Sequence, residues 1–280
     1  MQIKPIQQMA WALFDFANSA FPTVITTFVF AAYFSKAIAP DPVTGTALWG
    51  YATGAAALFI AVCAPIFGAI ADESGARKPW IFVFSFICVT GSALLWFARP
   101  DESSIAFVLV CVGVATFGFE MAMVFYNAML SGISTNGRAG RLSGYAWGLG
   151  YLGGLLCLGL VLILFVQADQ PLFGLNAQEA EHIRISGPFV AIWYTLFALP
   201  LFFFVPDKPV KKSIGAGLFQ GLTRLKNTIR AWRDNRIVFH FLLVRMIYTD
   251  GLNTLFAFGG IYAAGTFNMD FSEIIIFGIG

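Results

Sequence analysis

Long apolar runs broken by short polar clusters set the pattern of the whole chain. A helix that crosses a bilayer needs about 20 mostly apolar residues. Seven stretches meet that need: residues 11–39, 47–71, 80–98, 105–130, 142–166, 188–205 and 237–267. An eighth begins at Phe271 and reaches Gly280, about 15 Å as a helix and roughly half the hydrocarbon thickness. The chain therefore reads as a C-terminally truncated piece that ends in mid-span. Composition says which solvent these runs face. Hydrophobic residues make up 58% of the 280 and charged residues 11%, against about 25% charged in a soluble domain. A globule has too much outside for one aqueous core to hide such a surface. The reading is an all-α membrane protein with lipid as its partner.

Charge then orients the helices. With the N-terminus inside, thirteen basic residues fall in inner segments: Lys4, Arg77, Lys78, Arg138, Arg141, Lys208, Lys211, Lys212, Arg224, Lys226, Arg230, Arg233 and Arg236. Lys36, Arg99 and Arg184 fall outside. Positive residues are retained on the cytoplasmic side, so a cytoplasmic N-terminus is expected. The net charge of +2 sits in short loops and gives no reason to expect nucleic acid. The first run is too long for a cleaved signal and holds Asp15 and Asn18, so it is read as a permanent span. The expected organisation is a six-helix bundle over residues 1–205, a linker over 206–235, and the start of a second bundle over 236–280. In the linker Leu218, Leu222, Leu225, Ile229 and Trp232 recur at helical spacing with basic residues between them. That pattern suits an amphipathic helix lying on the inner leaflet.

Polar residues inside the runs carry the functional signal, because a charge at a helix centre costs about 2.5–3.5 kcal/mol even on the lenient insertion scale. The candidates for substrate binding or coupling are Asp15, Asn18, Glu120, Asn127, Arg245, Asp250 and Asn253. Two of these pairs belong to a repeat. Asp15-Phe16-Ala17-Asn18-Ser19-Ala20-Phe21 and Asp250-Gly251-Leu252-Asn253-Thr254-Leu255-Phe256 both read Asp-x-x-Asn-[Ser/Thr]-x-Phe, 235 positions apart. Six helices separate them, and an even number keeps the orientation, as in transporters built from two parallel six-helix halves. Doubling the offset predicts about 470 residues and twelve spans for the whole protein. Each Asp and Asn share a helix face, and the two motifs are expected to face each other across a central cavity. There they would suit a ligand with an ammonium group, with Arg245 receiving a carboxylate. Glu120 sits mid-run, where a desolvated carboxyl suits a proton carrier. Gly144 with Gly148, and Gly150 with Gly154, stand four apart. That spacing predicts close helix approach and fits a moving interface and a static one alike.

Between the second and third runs lies Gly68-Ala69-Ile70-Ala71-Asp72-Glu73-Ser74-Gly75-Ala76-Arg77-Lys78. It resembles the signature loop of the major facilitator superfamily, which has Gly, three residues, Asp, a basic residue, any residue, Gly, then Arg and a basic residue. Glu73 replaces the usual basic residue, and Ala76 is inserted before Arg77. The resemblance implies the major facilitator fold and a conformational role for Gly68, Asp72, Gly75, Arg77 and Lys78. Residues 11–21, Tyr126-Asn127-Ala128, residues 148–154 and residues 248–254 are similar to the vacuole-effluxer-like branch of that superfamily, whose eukaryotic members are associated with amino-acid efflux. For this chain the expectation is a plasma (inner) membrane rather than a vacuole.

The resulting expectation is a secondary transporter that moves a small solute by alternating access, with amino acids suggested and proton coupling open. A non-transporting scaffold or sensor on the same fold is the alternative. An intramembrane enzyme is the weaker one: Gly132-Ile133-Ser134-Thr135 is a thin match to a serine-protease motif, and Ser134 and His182 are assigned to opposite sides. Cys63, Cys88, Cys111 and Cys157 fall in four separate runs with no CxxC pair, so neither a disulfide framework, a metal site nor a cofactor is expected.

Overall fold

A computed structural model describes residues 4–74, 76–134, 137–168, 172–207 and 236–267, with 223, 226, 227, 269 and 273 as isolated positions. Seven long helices account for the runs. They are α1 (Pro5–Ile38), α2 (Pro42–Ser74), α3 (Lys78–Phe97), α4 (Glu102–Ile133), α5 (Ala139–Val166), α6 (Glu181–Phe204) and α7 (Arg236–Thr266). Among the described residues, the first six are long and apolar enough to cross a membrane. Helices α1, α2 and α6 begin a turn or more before the apolar run, because polar first turns still satisfy helical hydrogen bonds. Asp41 shows how: its carboxylate accepts from the backbone N–H groups of Val43 and Thr44, both at 2.9 Å, at the start of α2. The expected eighth helix and most of the amphipathic linker lie outside the described residues.

The closest helix packing joins mostly helices that are not consecutive in the chain. α3 packs on α4, α2 on α4 and α3 on α6, while α1 lies against α5 and α6 and also reaches α4. Helix α1 is thus the centre of the bundle, and two-thirds of its most apolar window is buried. Large rings fill the space around it. Trp11 stacks on Tyr126 at 4.4 Å and its indole N–H donates to the Tyr126 carbonyl, while Phe14 stacks on Tyr126 at 4.9 Å. Lipid tails are as apolar as these side chains, so what holds the bundle is close packing and interhelical hydrogen bonds rather than escape from water.

The glycines show where packing is closest. A Cβ on Gly150 would stand 2.8 Å from Ser19 Oγ, and one on Gly154 would stand 2.6 Å from Thr23 Oγ1. Gly153 faces the Phe16 carbonyl, which also accepts the Trp193 indole N–H from α6 at 3.3 Å. Three helices therefore meet at one peptide group. The expectation of close approach at Gly144 and Gly148 is not met among the described residues, where a Cβ on either would meet nothing within 4 Å. The geometry explains this: two residues turn a helix by about 200°, so the pairs at 144/148 and 150/154 cannot share one interface. Gly68 is not closely packed either. Its Cβ would meet only Val124 Cγ1 at 3.9 Å, an ordinary contact.

Inside α1 the helix changes form. Pro22 has no N–H to give, and the hydrogen-bond ladder widens to a π-helix over Phe21–Phe28, the usual local response to such a defect. Thr23 and Thr26 turn their hydroxyls back to the carbonyls of Ser19 and Pro22 at 2.8 and 3.0 Å. This back-bonding satisfies them without water.

Candidate functional site

A cavity of about 470 Å³ opens inside the helices, next to the π-helical stretch of α1. That is within the range of small-molecule pockets. From α1 come Asp15, Asn18, Ser19 and the turn from Pro22 to Phe28; from α2, Trp49 and Thr53; from α4, Thr116, Phe119, Glu120 and Met123. Helix α5 adds Trp147, Gly150, Tyr151 and Leu155, and α7 adds Asn253. Its wall therefore sets carboxylates, amides and hydroxyls among apolar side chains, within helices long and apolar enough to cross a membrane. The wall holds two carboxylates and, among the described residues, no Lys, Arg or His.

Four of the seven expected residues meet here: Asp15, Asn18, Glu120 and Asn253. The two Asp-x-x-Asn motifs thus contribute to one space, with Asn18 from one copy and Asn253 from the other. Asn18 is 1% exposed and donates its amide to Met123 Sδ at 3.1 Å, a weak acceptor. Asp15 is the acidic neighbour of the buried Tyr126 hydroxyl. Glu120 presents an exposed side chain to the cavity. Asn127, Arg245 and Asp250 are exposed and are not in the cavity wall. Arg245 therefore does not bring a cation to the carboxylates in this conformation.

Sequence reading missed the hydroxyls and rings of the wall. Thr23, Thr26 and Thr53 look unremarkable in apolar runs, because threonine satisfies itself on its own helix, and Thr27 and Thr116 are written with the same residue. Thr53 does so on the Trp49 carbonyl at 2.8 Å. Trp147 and Tyr151 are four apart, and their rings meet edge to face at 4.7 Å. Their spacing was the available signal, but aromatic residues in spans more often mark the membrane interface.

The signature loop has a carboxylate partner that its own sequence does not contain. Asp207, just past α6, accepts from the backbone N–H groups of Arg77 at 3.0 Å and Lys78 at 2.9 Å. Lys78 Nζ donates to the Phe202 carbonyl at 2.8 Å. The start of α3 is thereby tied to the end of α6 by a capping acid and a reciprocal cation. The side chain of Asp72 and the whole of Gly75 lie outside the described residues.

A sequence model of the family described as "Vacuole effluxer Atg22 like" matches residues 37–139 and 133–280. An uncharacterized MFS-type transporter, YxiO, of Bacillus subtilis (strain 168) is 30% identical over 263 residues, covering 92% of this chain and 60% of that protein. An uncharacterized protein of Aquifex aeolicus (strain VF5) is 23% identical, over 97% of this chain and 61% of its own length. The chain thus spans about three-fifths of the length of the curated relatives it matches. A crystal structure of a D-xylose-proton symporter superposes with a TM-score of 0.61 at 14% identity, over 97% of this chain and 64% of that one. A partially occluded inward-open xylose transporter XylE from E. coli gives 0.54 at 15% identity, over 98% and 68%. These likenesses show the fold, which is that of the major facilitator superfamily.

Proposed function

We propose that this chain, which belongs to the Atg22-like vacuole effluxer family of the major facilitator superfamily, forms most of the solute path of a secondary transporter working by alternating access. The observation that carries the reading is the polar cavity, to which α1, α2, α4, α5 and α7 all contribute. Such groups are costly in a membrane unless they line a path or a site. Asn18 and Asn253 offer amide donors and acceptors from the two repeat motifs, and Asp15 and Glu120 offer carboxylates. Amino acids are the solutes we favour, because an ammonium group matches those carboxylates. Glu120 is the coupling residue, as an ionisable group exposed to the cavity from the middle of α4. The tie between Asp207 and the start of α3 fits a contact that opens and closes with the access state. In this reading residues 1–205 are one bundle, 206–235 a cytoplasmic linker and 236–280 the beginning of the second bundle, with the N-terminus in the cytoplasm of a cell whose plasma membrane holds the protein.

The test uses the protein as its gene encodes it, reconstituted in vesicles and supplied with a panel of amino acids with and without a pH gradient. Flux above protein-free vesicles is expected for at least one of them. Glu120→Gln keeps size and hydrogen bonding and is expected to abolish pH-driven flux with little loss of expression. Flux that is unchanged across pH would make Glu120 structural, and no flux for any solute would remove the transport reading.

A further inference from the structure

We infer that the cavity is an organic-ammonium site, in which Trp147 and Tyr151 hold the cationic head of the solute beside Glu120. The inference rests on the reading of the cavity as a solute path and names the chemical class that the path admits. Three observations carry it. The first is charge: two carboxylates and no cationic side chain line the wall among the described residues, so the charge presented there favours a cationic group over an anionic one. The second is the aromatic pair. Trp147 is 63% exposed and Tyr151 45% exposed, yet both line the cavity. They stand one helical turn apart with ring centroids at 4.7 Å and interplanar angle 83°, so a small group can approach the face of one ring while touching the edge of the other. The negative face of an aromatic ring attracts an ammonium group and rejects a carboxylate. The third is access. The Glu120 side chain is exposed while Asp15 is half-buried, and both line the cavity, so Glu120 is the carboxylate more open to the solute.

Three solutes with one carbon skeleton separate the possibilities: L-leucine, 3-methylbutan-1-amine, which lacks its carboxylate, and 4-methylpentanoate, which lacks its ammonium group. Calorimetric binding to the protein in lipid nanodiscs is expected for the first two, with the acid at least about tenfold weaker. Trp147→Leu keeps an apolar side chain and removes the ring, and amine binding should weaken roughly tenfold. Glu120→Gln should weaken it comparably. Both positions are exposed to the cavity, and an unchanged elution volume and helical spectrum would show that the variants fold. Trp147→Phe keeps a ring face and should recover part of the loss. The inference is overturned if the acid binds as tightly as the amine, or if neither Trp147→Leu nor Glu120→Gln alters amine binding. Vesicle flux keeps this separate from the transport reading. Amine binding without flux would leave the site standing and remove transport, whereas flux of the acid that is insensitive to Trp147→Leu would do the reverse.

Discussion

Helices α1 and α7 carry the same seven-residue pattern in different surroundings. In α1 the motif is packed from three sides: Asn18 is 1% exposed, and Phe16 lies between Gly153 and Trp193. In α7 the segment from Arg236 to Asp250 is exposed throughout, and the helix touches chiefly α1, along its π-helical part and the following turn Val29–Tyr33. The Phe258 ring there comes within 3.3 Å of a Cβ built on Gly50. Even so, Asn253 reaches the same cavity as Asn18. The lesson is that the motif specifies which side chains share a face, while the neighbouring helices decide how firmly that face is held. A polar pair can sit in a rigid wall or on a lightly docked one with no change in its own sequence.

The largest expected break in this comparison comes from matched glycine changes. Gly153→Leu would drive a side chain into the Phe16 carbonyl, a backbone group that cannot rotate away. Overpacking costs about 1–3 kcal/mol and more where backbone must move, so a loss of 3 kcal/mol or more is expected, on the order of the upper limit. Gly251→Leu on α7 meets nothing within 4 Å and should change little. Thermal unfolding in detergent measures both, and equal effects would refute the asymmetry between the two helices.

A smaller effect should follow at the tie between α3 and α6. Asp207→Ala removes the acceptor for the Arg77 and Lys78 N–H groups, and loss of such a cap costs about 1 kcal/mol. Asp250→Ala on the exposed face of α7 should stay within about 0.5 kcal/mol of the parent. Amide hydrogen exchange would locate the first effect in the opening turn of α3. Uniform exchange across both variants would argue against it.

The smallest prediction concerns pH at the start of α2. The Thr44 hydroxyl, together with the backbone N–H groups of Thr44 and Val43, holds the Asp41 carboxyl below its usual range. A depressed acid contributes its stability in full above the ordinary carboxylate value and loses it as pH falls through the lowered one. Asp41→Ala should therefore speed amide exchange in the first turn of α2 at neutral pH, and the difference from the parent should vanish in acid. A difference that persists in acid would mean the turn is held by something other than the carboxylate.

The spans were legible because hydrophobicity and length act locally: each of the seven full-length runs became a helix, the largest shift being at α6, which starts at Glu181 rather than residue 188. Asp15, Asn18, Glu120 and Asn253 were legible for a related reason, since a polar group at membrane depth is costly wherever the fold puts it. Gly144 and Gly148 were misread because spacing defines a stripe and not the face that meets a neighbour. Asp207 went unnoticed because the helix it caps begins 130 residues earlier in sequence. Trp147 and Tyr151 gave no distinct signal, because rings that line a cavity and rings that meet lipid are written with the same residues.

By itself the sequence determined that the chain crosses a membrane as long helices, that two helices repeat one polar motif, and that a few polar residues must be hidden from lipid. Those properties follow from the local free energy of placing each side chain in hydrocarbon and from the helical repeat. The tertiary structure alone decided which hidden residues share a cavity, which glycines touch another backbone and which acid caps which helix. Those outcomes depend on the rotation and crossing of helices far apart in the chain, and no single helix encodes the position of its neighbour.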